Sequence, residues 1–131
     1  MTDVWAAFVA ARLDEDEAAA KAATPGPWHA AGEDILSRAG DPYWTGACAA
    51  NAAGADAAHI ARHDPARVLR EVKAKRAIMA MWEHENMPSV YQPEPEVQEL
   101  INERRDTIEM VLCEMAAVWS DHPDYRPEWT P

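Results

Sequence analysis

The chain has 131 residues, 48% of them hydrophobic and 27% charged, and a formal charge of −11 at pH 7. This length and balance suit one globular domain over residues 1–131, able to bury roughly two-thirds of its unfolded surface without a disulfide or a metal. The negative charge argues against direct binding to nucleic acid, which depends on neutralising phosphates, and against anionic membrane surfaces.

Thr2 and Asp3 suit the start of a first helix over 3–23. Trp5, Phe8, Val9 and Leu13 form its apolar stripe, Asp14-Glu15-Asp16-Glu17 cover the other faces, and an alanine run extends it. Thr24-Pro25-Gly26-Pro27-Trp28 stops that helix, because each proline disfavours helix in the residue before it. Between 28 and 50 the short segments Trp28–Ala31, Asp34–Ser37 and Tyr43–Thr45 alternate with glycine turns and predict a small antiparallel sheet of two or three strands. Helix resumes over 52–63, with Ala53, Ala57, Ile60 and Ala61 inward. Asp64-Pro65, a capping residue followed by proline at the first helical position, starts another over 65–86. Val68, Leu69, Val72, Met79 and Trp82 mark its buried face, and Arg67 with Glu71 forms an outer ion pair.

Residues 87–93 read as a linker, with prolines at 88 and 93. A last helix is expected over 94–120, buried along Val97, Leu100, Ile101, Ile108, Val111, Leu112, Met115, Val118 and Trp119. The Pro-rich tail, 121–131, cannot stay helical for long. The expected fold is α+β, mainly α: about four helices and a small sheet. Because much of the apolar content is alanine, the six tryptophans are expected mostly in the core.

Two stretches carry a resemblance. One is Ala22-Ala23-Thr24-Pro25-Gly26-Pro27-Trp28, followed by the run from Asp56 to Val72; the other is the ending from Ala116 to Trp129. Together they resemble a family of small uncharacterised proteins common in actinobacteria and their phages. The Thr-Pro-Gly-Pro-Trp start and the Asp-Ala-x-x-Ile-Ala pattern are shared more loosely with small phage proteins of the Ea22-like type. The resemblance brings no activity with it. Other members of the family carry several cysteines before the tail, which implies a zinc site there. This chain departs from that pattern: residues 88–112 hold no cysteine and only Cys113 remains.

His59 and His63 lie four apart on a predicted helix, with Asp56 one turn earlier, so these three are the candidate metal ligands, zinc being the metal such a pair would take. A third or fourth ligand would have to come from His29, Cys48, His84, Cys113 or His122. The simpler reading is that both histidines sit at a helix C-terminus, where imidazole suits the dipole, and no cofactor is then required. Ser120, Asp121 and His122 have the residue types of a catalytic triad but are adjacent in sequence, which does not make one. No glycine-rich phosphate loop is present, so an enzyme is not expected.

Six of the 12 basic residues, Arg62, Arg67, Arg70, Lys73, Lys75 and Arg76, fall in one segment, leaving six basic against 21 acidic residues elsewhere, a net of −15. This segment is either a solvated helix face or a surface that steers a partner, pairs with another copy head to tail, or holds a nucleotide phosphate. Trp129 at the end of the tail either packs back onto the domain or docks on a partner, and packing back is preferred. Two cysteines without a Cys-x-x-Cys, and no apolar run near the ~20 residues a bilayer requires, suit a cytoplasmic protein with no membrane contact. Met1-Thr2-Asp3-Val4-Trp5 also lacks the basic region of a signal peptide. The preferred function is a non-enzymatic interaction or regulatory protein that binds a protein partner, for example by mimicking nucleic acid. The alternatives are a small metal- or nucleotide-binding protein and a structural homo-oligomer.

Overall fold

A computed structural model describes residues 2–37, 46–50, 52 and 54–130. It shows four helices, α1 (Thr2–Ala22), α2 (Gly54–Arg62), α3 (Pro65–Glu85) and α4 (Pro95–Ala116), and three strands, β1 (Trp28–Ala31), β2 (Asp34–Ser37) and β3 (Gly46–Ala49). The fold is α+β and mainly α. No helix among the described residues is long and apolar enough to cross a membrane. The chain forms two compact units, Asp14–Lys73, and Met1–Leu13 with Ala74–Pro131.

In the unit of residues 14–73, the three strands form one antiparallel sheet in the order β1-β2-β3. Trp28 pairs with Ser37 and Ala31 with Asp34, so only Gly32 and Glu33 make the turn. Gly32 adopts φ +64°, a left-handed conformation that glycine enters without steric cost. β3 pairs with β2 through Ile35–Ala49 and Leu36–Ala47, with an irregularity between Ile35 and Leu36. The strand expected at 43–45 lies outside the described residues. β3 begins instead at Gly46, which the sequence suggested as a break; Gly-Ala-Cys-Ala has little intrinsic strand preference, and pairing with β2 supplies what composition does not. Ile35 is fully buried. α2 packs on β1, and its Ala57 is fully buried. Ile60, expected inward, is exposed.

The Pro-Gly-Pro turn is tied to the start of α3. Asp64 is buried, at 6% exposure. Its Oδ1 accepts the Arg67 amide hydrogen at 2.8 Å, capping the helix that Pro65 begins. Its Oδ2 accepts the Trp28 amide hydrogen at 3.0 Å. Trp28 Nε1 donates to the Thr24 carbonyl at 2.8 Å, and Ser37 Oγ donates to the Pro25 carbonyl. Gly26 has no room for a side chain: a Cβ there would lie 2.5 Å from Asp64 Oδ2 and 3.0 Å from Ala66 Cβ. Asp64 is held by two hydrogen bonds and cannot give way freely. Gly26→Ala is therefore expected to destabilise the protein by about 1–3 kcal/mol, the usual cost of overpacking, and urea unfolding would measure it. An unchanged midpoint would contradict this packing.

In the other unit, Trp5, Phe8, Val9 and Leu13 of α1 are all buried, as are Met79 and Trp82 of α3 and Leu112, Met115 and Ala116 of α4. Trp5 and Trp82 meet edge to face at 4.9 Å. α4 departs from expectation in two ways. It gives way to a short 3-10 helix at Ala117–Trp119, and Val97, Leu100, Val111 and Val118, read as buried, are exposed, Leu100 at 64%.

Candidate functional site

The metal candidates are only partly brought together. The rings of His59 and His63 lie with centroids 4.4 Å apart, tilted by 39°. His63 Nδ1 lies 2.9 Å from the His59 carbonyl, an acceptor only, so Nδ1 carries the proton and donates. Asp56 sits in the first turn of α2. Among the described residues no three His, Cys, Asp or Glu side chains are placed to share a metal ion. In the basic segment, Arg67 is taken up by Glu71 at 2.7 Å, and Lys75 lies 5.2 Å from the Trp119 ring. Arg76 is half-buried. Arg62, Arg70 and Lys73 are exposed and make no ion pair among the described residues.

The tail is a run of tight turns that returns to α1. The amides of His122, Tyr125 and Trp129 each donate to the carbonyl three residues earlier, at 2.9 to 3.0 Å. Pro127–Trp129 closes as a second 3-10 helix. This brings three rings onto Phe8: His122 at 5.6 Å, Tyr125 at 6.0 Å and Trp129 at 5.2 Å. Arg12 lies over the Phe8 ring, 5.1 Å from its centroid. His122 Nδ1 accepts from Arg12 Nη1 at 3.2 Å and from the Asp124 amide at 3.1 Å. Both partners are donors, which sets the ring's tautomer and gives His122 a structural role. Trp129 has packed back onto its own unit and is 9% exposed.

Beside the returned tail lies a groove of about 480 Å³, formed by α4 and the last tail residues. Met110, Cys113 and Trp129 give it an apolar floor, and Asp106, Glu109, Glu114 and Glu128 supply carboxylates. The α4 members of this set fall on successive turns, while Glu128 and Trp129 arrive from the tail. None of the four carboxylates makes an ion pair among the described residues. The two arginines of α4 are engaged elsewhere: Arg104 meets the Glu85 carboxylate at 3.1 Å, and Arg105 donates to the Glu85 carbonyl at 2.7 Å. Burial pushes the Cys113 thiol up from its ordinary pKa, and the charges of Glu109 and Glu114 push it further. It is therefore protonated and weakly reactive rather than a nucleophile. Carboxylates beside apolar side chains suit a cationic group carrying some apolar surface.

Sequence reasoning did not find this groove. Its carboxylates are four among 23 acidic residues, and Asp106, Glu109 and Glu114 acquire a common neighbour only when Trp129 returns. The helical spacing of 106, 109, 110, 113 and 114 was the one signal available, and any solvated acidic helix gives it too.

The fold defines a mainly helical α+β protein in which proline-rich segments are bound into caps and turns. The chain belongs to a family of unknown function, DUF6221, which it matches over residues 2–131. No curated protein and no solved structure matches the chain.

Proposed function

We propose that this is a non-enzymatic binding protein whose groove between α4 and the tail receives a cationic segment of a protein partner. The observation that supports the reading is the set of four carboxylates, unpaired among the described residues, around Met110, Cys113 and Trp129. Exposed ion pairs contribute only about 0–1 kcal/mol each. Affinity therefore comes from several pairs together with the apolar area that the floor covers, and the charges mainly set partner choice and encounter rate.

The test is titration with a labelled peptide rich in arginine and lysine. Binding is expected in the range of about 10–100 μM, weakening as salt screens the charges. Glu109→Lys with Glu114→Lys should weaken it by roughly tenfold or more. Glu33→Lys with Glu83→Lys changes net charge equally, outside the groove, and should leave most of the binding intact. Equal losses in the two double variants would show that the peptide responds to overall charge, and the groove would lose its assigned role.

A further inference from the structure

We propose that the partner segment comes from a second copy of this chain, whose exposed Arg62, Arg70 and Lys73 dock head to tail into the acidic groove. This rests on the groove reading above and names its occupant. Among the described residues, both halves of the interaction are present in unused form. Its groove carboxylates lack cations, and these three cations lack carboxylates, among the described residues. Other cations are already engaged: Lys21 with Glu17, Arg67 with Glu71, and Arg104 with Glu85.

The spacings also agree. Arg70 and Lys73 are three apart on α3, and Asp106 and Glu109 three apart on α4. Side chains three apart on a helix stand about 5–6 Å apart at Cβ, so two cations one turn apart can face two carboxylates one turn apart. Met110, 70% exposed at the groove, supplies apolar surface for the stems of the arriving cations. The two surfaces differ, so the contact is heterologous.

Net charge opposes this. Two copies at −11 each repel at low salt, where the screening length is about 30 Å at 0.01 M, and much less where it is about 10 Å at 0.1 M. Self-association is therefore strongest at intermediate salt and lost at high salt. A free cationic peptide, attracted by the whole molecule, binds best at the lowest salt.

Sedimentation velocity on the full chain at about 200 μM, near 0.01, 0.1 and 1 M salt, tests this. The expected result is the largest average mass at 0.1 M. Two variants then separate the faces: Glu109→Lys with Glu114→Lys spoils the groove, and Arg70→Glu with Lys73→Glu spoils the cationic stretch. All four residues lie at least partly exposed, and matching thermal melts would show that the variants fold. Each variant alone should be monomeric. Their mixture should form a one-to-one pair that grows no further, because only one intact face of each kind remains. A wild-type chain monomeric at every salt concentration overturns the proposal, and so does a mixture that stays monomeric. If the cationic peptide still binds the groove in that case, the groove reading stands and only the second copy is excluded. If the chain associates while the groove variant associates equally well, the groove is not the contact and this proposal falls, whatever the peptide titration shows of the groove.

Discussion

Asp64→Ala is expected to destabilise the protein by about 2–4 kcal/mol, combining a lost helix cap with a backbone donor left without its partner. The carboxylate serves two segments at once, holding the Arg67 amide at the start of α3 and the Trp28 amide after the proline turn. Alanine cannot accept either hydrogen bond. Asparagine keeps one acceptor oxygen, so Asp64→Asn should fall between wild type and alanine. Urea unfolding followed by tryptophan fluorescence would measure both. If Asp64→Ala unfolds at the wild-type midpoint, the carboxylate does not hold the turn to the helix.

Trp129→Ala carries the second large effect, about 3–5 kcal/mol for removing a buried tryptophan. Trp129 contacts Phe8 at 5.2 Å and Tyr125 at 5.6 Å, and Arg126 covers its ring at 5.6 Å. It also forms a wall of the acidic groove and of a second hollow of about 470 Å³ that includes Phe8, Arg12 and Arg126. Its loss should therefore lower the melting temperature and abolish peptide binding together. Trp129→Phe keeps a ring in place and should recover more than half of the stability. A Trp129→Ala protein that melts normally would show that the tail contributes no packing.

These two residues differ in how far they could be read in advance. Asp64 stood beside Pro65, and a carboxylate followed by proline at the first helical position is a local signal with a local cause: the side chain caps an amide three residues ahead. That the same carboxylate also receives the Trp28 amide, 36 residues away, has no local cause and no trace in spacing. Trp129 could be expected to pack back because an exposed tryptophan is costly, but nothing in the tail indicated Phe8 as its neighbour. α1 shows the same division. Trp5, Phe8, Val9 and Leu13 read as one stripe and all four are buried. In α4 the same periodicity ran too wide, since an apolar arc does not say which part of it meets a neighbour, and Val97, Leu100, Val111 and Val118 face outward.

The order of residues alone was enough to specify the four helices, the proline-delimited turn, the cap at Asp64 and the excess of negative charge. Each of these arises from forces acting within a few residues, or, for the charge, from composition. The register of β3, the return of the tail to Phe8 and the groove beneath it required the folded chain. They depend on residues far apart in sequence becoming neighbours, and such meetings are selected by packing and closure rather than by any local preference.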